Sequence, residues 1–287
     1  MYNLYATDYT TYERVNEQLK SNPTEGELTN DQSIVEYYIH VASRMVTDYC
    51  NRTFVPYIKT DATVMYTDLS AYFILNLPDD ALVVTSITGD NDSVIPTTQY
   101  RLLDIFNQDN GYPYRYVELS SQANIYINIS SWDFVPRFTI DGIWGFSRQS
   151  YANSWETITT MALSIDDETT SITVVNATLL ETFDYLRLGT EFMQITAIVG
   201  NVLTVTRGVN GSTAAAHDGT GTPVNVDRWQ IEQSVKDATT RLTAWLYTSR
   251  QTTGNTLVFG DGTVATQYPS LVWSALFMYK KPVILSV

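Results

Sequence analysis

The sequence predicts an α+β chain: amphipathic helices that pack together, a small antiparallel β unit, and an inserted β-rich domain. Three observations predict it. Strong helical periodicity appears near residues 34–49 and again near 231–245. Between these, short apolar runs alternate with turn residues. The second block of such runs is bracketed by polar stretches suited to a junction. The order helix, β unit, β segment, helix brings the first and last helices into one domain, 1–150 plus 228–287. The insertion is then 151–227.

The first clear helix runs from about Thr29 to Asn51. Ile34, Tyr38, Val41, Met45 and Tyr49 recur at spacings of three and four, one helical face. Thr29 with Gln32 fits a capping box, Asp31 suits the first turn, and Asn51 and Pro56 bracket the exit. An earlier stretch with Tyr5, Tyr9, Tyr12, Val15 and Leu19 fits another helix ahead of Asn22-Pro23. Strands follow at Val64–Tyr66, Tyr72–Leu77, Val83–Thr88, Tyr100–Ile105, Tyr114–Leu119, Ile125–Ile129 and Phe138–Ile143. Pro78-Asp79-Asp80, Gly89 to Asp92 and Asn110-Gly111 read as turns. In the insertion, strands are expected at Ser171–Val175, Tyr185–Leu188, Phe192–Ile198, Val202–Thr206 and Pro223–Val226, with a hairpin at Gly200-Asn201. The last long helix is capped by Asp227. It buries Ile231, Val235, Ala238, Leu242 and Trp245, turns Arg228, Glu232, Lys236 and Arg241 outward, and ends at Gly254. A tail follows with Gly260-Asp261-Gly262, Pro269, Pro282 and an apolar patch at Leu271–Tyr279.

Charge and composition narrow the function. Of 287 residues, 17 are basic and 31 acidic, a net charge of −14 that disfavours sequence-independent DNA binding and adhesion to anionic lipid. Cys50 is the single cysteine, so no intrachain disulfide is expected. No apolar run is long enough to span a bilayer, and residues 1–8 lack the basic and apolar regions of a signal peptide. The expectation is a soluble protein of a reducing compartment.

Catalytic signals are weak. Asp90-Asn91-Asp92 and Asn107 to Gly111 lack the alternating oxygen ligands of a calcium loop, and a turn is the better reading. Asp79-Asp80 and Asp166-Asp167 are adjacent carboxylates that point apart in extended chain, not acid–base pairs. Cys50 reads as a packed thiol and His40 as a partly exposed helix residue. His217-Asp218 lacks an accompanying serine motif. Neither a phosphate-cradling loop nor a dinucleotide fingerprint occurs. No enzyme, catalytic residue, metal site or cofactor is expected. The 20 tyrosines, ten phenylalanines and six tryptophans suit a core, as for Trp144 and Phe146, but also a sugar-binding face or a protein interface.

Three stretches together resemble the head–tail connector (adaptor, or head-completion) proteins of tailed bacteriophages. They are the helix and exit from Ser33 to Phe54, the strand from Phe138 to Phe146 with its Gly-Ile-Trp-Gly-Phe ending, and the segment from Trp229 through Gly254 to Pro282. In that family the strand leads almost directly into the helix, so 151–227 is additional. This segment is itself similar to a small β module of phage virion proteins, through Gly189 to Met193, Leu203 to Gly208, Asn210 to His217 and Gly221 to Val224.

The resemblance implies a helical connector core and a virion neck protein at the head–tail interface, assembled in the host cytoplasm. It also implies a ring of about twelve copies, bound to the portal on one side and to a neck or tail terminator protein on the other. DNA passes through the lumen without specific binding, and no membrane is involved. The alternatives are a tail-completion or stopper protein, or a carbohydrate- or receptor-binding β module. Trp273, Phe277, Tyr279, Lys280 and Lys281 are the expected portal-docking residues, since an apolar load with a cationic tip should not stay in water. The alternative for this stretch is a short helix folded back on its own subunit.

Overall fold

The computed structural model describes residues 8–20, 32–65, 74–89, 93–104, 113–120, 137–219, 224–249, 257–258, 264–265 and 270–281. Several expectations fall outside this set: the Thr29 and Asp31 cap, the turns at 90–92 and 107–111, the strand Ile125–Ile129, and the glycines at 254 and 260–262.

The first sheet contains β1 (Tyr57–Met65), β2 (Ile74–Thr88), β3 (Tyr100–Leu103), β4 (Tyr114–Leu119) and β5 (Arg137–Trp144), all antiparallel in the order β1-β5-β2-β4-β3. The second contains β6 (Trp155–Thr160), β7 (Ser171–Thr173), β8 (Tyr185–Leu188), β9 (Glu191–Val199), β10 (Val202–Thr206) and β11 (Asn225–Trp229), in the order β6-β11-β8-β9-β10-β7. Past the end of β6 the chain turns onto β7. Met161 bridges Val174, Ala162 N–H donates to Thr173 O (2.8 Å), and Val175 N–H donates to Thr160 O (3.0 Å). The six strands thus close on themselves as a small barrel, which removes the exposed sheet edges that invite foreign strands. Its interior is Met161, Ile172, Val174, Leu186, Leu188, Met193, Ile195, Leu203, Val205 and Val226.

The described helices are α1 (Tyr12–Lys20), α2 (Gln32–Cys50), α3 (Gln233–Ser249) and α4 (Ser270–Leu276); two-residue strands at Leu257–Val258 and Val264–Ala265 pair with each other. The expected fold class is therefore corrected. Among the described residues the chain is mostly β, with eleven of the strands in two antiparallel sheets, short helices packed against them and no helical connector core. The misreading has a physical origin. Tyr57–Thr63, Pro78–Asp80 and Trp155–Thr160 carry Lys, Thr, Asp and Glu, and so look like loop, yet all are strand. Asp227 and Arg228, read as the start of a helix, lie in β11, where Asp227 accepts from Arg187 (2.6 Å) and Thr157 (2.7 Å).

Helix α2 buries Val35, Ile39, Ala42, Ser43, Val46 and Cys50. The expected stripe is displaced by one residue: Ile34 is exposed, and Tyr38, Val41, Met45 and Tyr49 are half-buried. Both stripes are apolar, so periodicity could not rank them. The inner one wins at the contact with α3, where Ala42 and Ser43 meet a helix whose buried face includes Ala238, Thr239 and Thr243. Small side chains let the two axes approach. The threonine hydroxyls satisfy themselves on their own helix, Thr239 to Val235 O and Thr243 to Thr239 O, both 2.8 Å.

On α3, Val235, Ala238 and Leu242 are buried as expected, with Ile231 and Trp245 packed beside them. Lys236, expected outside, is 9% exposed and lies in the field of Asp184; burial lowers its pKa. The same core includes Trp155, Tyr185, Phe192 and Trp229, so the base of the barrel is part of the interface with the helices. Leu242→Ala should cost about 2–5 kcal/mol in denaturant unfolding. Arg241→Ala, on the exposed side, should stay within about 0.5 kcal/mol. Equal losses would show that α3 is turned differently.

Candidate interaction surface

Helix α4 and the 3-10 turn Phe277–Tyr279 fold back onto the chain. Val272 and Leu276 are buried in the core shared with α2 and α3. Tyr279 is 2% exposed, edge-on to Phe54 (5.8 Å) and Phe146 (6.1 Å), with the Arg148 guanidinium 4.7 Å above its ring. Lys281 turns inward as well. Its N–H donates to Cys50 O and its Nζ to Pro78 O, each at 2.8 Å, with Asp79 at 3.7 Å. Burial pulls this ammonium below the usual lysine range, against the pull of Asp79 and Asp80. Trp273 is half-buried against Tyr49 (4.6 Å between ring centres). Lys280 is exposed, its Nζ 5.1 Å from the centre of the Tyr49 ring. Phe277 is 71% exposed.

The five residues expected to dock are therefore split. Tyr279 and Lys281 face inward, Trp273 is intermediate, and Phe277 and Lys280 face out. Two further residues of the apolar patch Leu271–Tyr279, outside the expected docking set, are exposed as well, Leu271 (70%) and Met278 (62%). The apolar load was visible in the sequence, but the direction of each side chain depends on which ones the core takes. Large apolar side chains also remain exposed on the outer side of α2, at Ile34 and Tyr37, and at the barrel end, at Val175 and Val199. Asn201 ties that barrel end together, donating to Val175 O (3.1 Å) and accepting from Val174 N–H (2.9 Å).

The polar candidates take structural positions. Cys50 is buried, and burial pushes its thiol up to about 12. Asp79 and Asp80 do not form a solvated turn. Tyr57 donates to Asp79 (2.6 Å), while Asp80 is 1% exposed between Arg52 (3.0 Å) and Arg115 (3.6 Å). Burial pushes the Asp80 carboxyl up to about 6 and the Arg52 guanidinium down, each against the attraction of the other. His40 pairs with Asp8 (2.9 Å), which raises its pKa. Asp8 also accepts from Gln194 on the barrel (3.1 Å). Among the described residues, no group of three or more His, Cys, Asp or Glu is placed to hold a metal ion, and no helix is long and apolar enough to cross a membrane.

His217 is paired with Glu191 (2.9 Å), not with Asp218, which accepts from Ser164 (2.7 Å). Glu191 organises the module-like motif. It is 1% exposed and accepts from Arg207 Nε (2.6 Å) and a terminal Arg207 nitrogen (2.7 Å), and from Gly208 and Ala215 N–H. Arg207 in turn donates to Asp166 O and Thr169 O. The following Asn210-Gly211 docks the barrel on the edge of β1. Ile58 N–H donates to Asn210 O (2.8 Å) and the Asn210 amide to Pro56 O (3.0 Å). Gly211, at φ +80°, passes so close that a Cβ would lie 2.4 Å from Ile58 O.

No family model and no curated protein matches the chain. Among solved structures it is similar to the Gp54 tailspike of Acinetobacter baumannii bacteriophage AP22, which was solved in complex with A. baumannii capsular saccharide. The identity is 17% over 28% of this chain and 15% of that one, with a TM-score of 0.23. A likeness of that size carries no argument about function.

Burial alone would raise the Glu191 carboxyl, but hydrogen bonds from Arg207, His217 and Ala215 outweigh it and hold the group below its ordinary range. Its contribution to stability is then present in full above the ordinary glutamate value of 4.5 and fades as pH falls through the lower folded value. Glu191→Ala leaves Arg207 buried without its carboxylate and should cost about 3–5 kcal/mol at neutral pH. The gap between variant and wild type should narrow on acidification. A gap constant from neutral pH down to acid unfolding would show that charge is not the cause.

Proposed function

We propose that the chain is a structural protein of a tailed-bacteriophage particle, a neck protein whose copies form a ring between portal and tail. Its work is contact and spacing, not catalysis. The observation that carries this reading is a set of large apolar side chains left in water. Leu271, Phe277 and Met278 lie on the C-terminal segment, and Ile34 and Tyr37 lie on α2. Large apolar side chains left exposed on two segments of one chain suit association. The three connector-like stretches supply the particle and the place. The reading does not lean on a helical core, which the chain lacks. The net charge of −14 suits a lumen that lets DNA pass, since a basic lining would retain phosphates by counterion release.

The purified protein should sediment as a single large species at neutral pH and show closed rings, with a central hole, by negative-stain microscopy. A chain that stays monomeric at every concentration, and on addition of portal-bearing capsids, would remove the reading. Binding to a glycan array by such a monomer would favour a saccharide-binding virion module instead.

A further inference from the structure

We infer that neighbouring copies of this chain meet head to tail, with the exposed Phe277–Met278 turn of one copy lying against the outer stripe of α2 in the next. The inference rests on the ring reading above and specifies its contact.

Helix α2 carries two apolar stripes where a surface helix needs one. The inner stripe is spent on the chain's own core: Val35, Ile39, Ala42, Val46 and Cys50 are each 0% exposed. The outer stripe, Ile34, Tyr37 and Val41, follows helical spacing of three and four, with Tyr37 64% and Ile34 40% exposed. The second surface, on the C-terminal segment, displays Phe277 at 71% and Met278 at 62%.

These two surfaces cannot cover each other within one chain. The C-terminal segment is fastened at the far end of α2, by Trp273 on Tyr49 and by Lys281 N–H on Cys50 O. Tyr37 lies twelve residues before Tyr49 on α2, which is about 18 Å at 1.5 Å per residue. Two unlike patches at opposite ends of one element form a heterologous contact, and such contacts generate rings when the rotation closes.

Charge fits the same pairing. Residues 270–281 contain Lys280 and Lys281 and no acid. Lys281 is used internally, so Lys280 is the outward cation beside Phe277 and Met278. On α2, Glu36 lies on the flank of the outer stripe, about 100° around the helix from Tyr37, and accepts from the Gln32 amide (2.8 Å). The nearby cations of α2 have acids of their own: Arg44 has Asp48 (3.5 Å) and His40 has Asp8 (2.9 Å). Glu36 is therefore the carboxylate placed to receive Lys280 of a neighbour.

Complementation between two variants tests this in the full chain. Tyr37→Lys breaks the α2 side, and Phe277→Asp with Met278→Asp breaks the turn. Each should keep the wild-type melting transition, because these side chains lie outside the core, and each alone should assemble at least about tenfold more weakly. Mixed, the two should form a one-to-one dimer and nothing larger, since each supplies one intact half. Glu36→Lys should weaken assembly, and adding Lys280→Glu in the same chain should restore it. Rings that form unchanged in both variants would leave the ring reading standing and overturn this contact. So would single defects with no dimer on mixing. A turn variant that still forms rings but fails to join portal-bearing capsids would assign the turn to the portal instead. A monomeric wild type would remove both readings together.

Discussion

The structure depends on how the chain leaves α2. Residues 52–55 are buried without belonging to a helix or a sheet, so their backbone groups need partners that no regular ladder provides. Asn51, at φ +50°, turns the exit into a Schellman cap, with Arg52 N–H on Thr47 O. Then three further groups are met from different quarters. Phe146 N–H from the end of the first sheet reaches Thr53 O, the Tyr9 hydroxyl takes Phe54 N–H, and the Trp229 indole donates to Phe54 O (2.8 Å). Two residues beyond Phe54, Pro56 O is held by Asn210 of the barrel. N-terminal arm, first sheet and barrel therefore converge on one short piece of backbone. Moving any one of them would strand a buried amide or carbonyl, at a cost of about 1–3 kcal/mol each.

Buried charge works in the same way around this piece. Arg52 caps the Phe146 ring (4.1 Å) and reaches Asp80 in the middle of β2, while Arg115 reaches the same carboxylate from β4. The acid therefore ties the exit of α2 to two strands of the sheet. Glu191 does the equivalent for the barrel, gathering its loops through Arg207 and His217. Such groups add little net stability compared with apolar replacements, but they penalise wrong arrangements heavily. With the barrel closed and the buried acids Asp80 and Glu191 each set beside arginine, the large apolar side chains that stay exposed stand out. Those at the C-terminal turn, on α2 and at the barrel end are among them, and exposed apolar side chains of this size are informative about contact.

Legibility in the sequence followed how local the cause was. Strands Tyr114–Leu119, Tyr185–Leu188 and Val202–Thr206 were readable to the residue, because alternation and a Gly200-Asn201 turn are local properties. The apolar part of the α3 face, Val235, Ala238 and Leu242, was readable from periodicity, but the burial of Lys236, Thr239, Thr240 and Thr243 beside it was not, because polar side chains give no such signal. The face of α2 was not readable, since two adjacent apolar stripes competed and only the arrival of α3 decides between them. Pro78-Asp79-Asp80 read as a turn because its partners, Tyr57, Arg52, Arg115 and Lys281, are distant in sequence. The Glu191, Arg207 and His217 motif was visible as a pattern, but its purpose was hidden for the same reason. On the C-terminal segment the apolar load was plain, while the inward turn of Tyr279 and Lys281 required knowing that Phe54, Phe146 and Pro78 wait beneath.

The barrel begins and ends at the same place. Trp155 opens β6 and Trp229 closes β11, and the two are register partners with ring centres 5.0 Å apart. For the order of events during folding, this placement matters more than the length of the segment. Helix α3 has to find α2 across the whole intervening chain, and the entropy of closing so long a loop retards contacts of high sequence separation. The barrel's own pairings are much shorter in range. Once it has closed, the two tryptophans act as a clasp, and the search left to α3 is that of a chain with the barrel shortened to a hairpin's width. The segment that lengthens the polypeptide thereby supplies the shortcut that offsets its length.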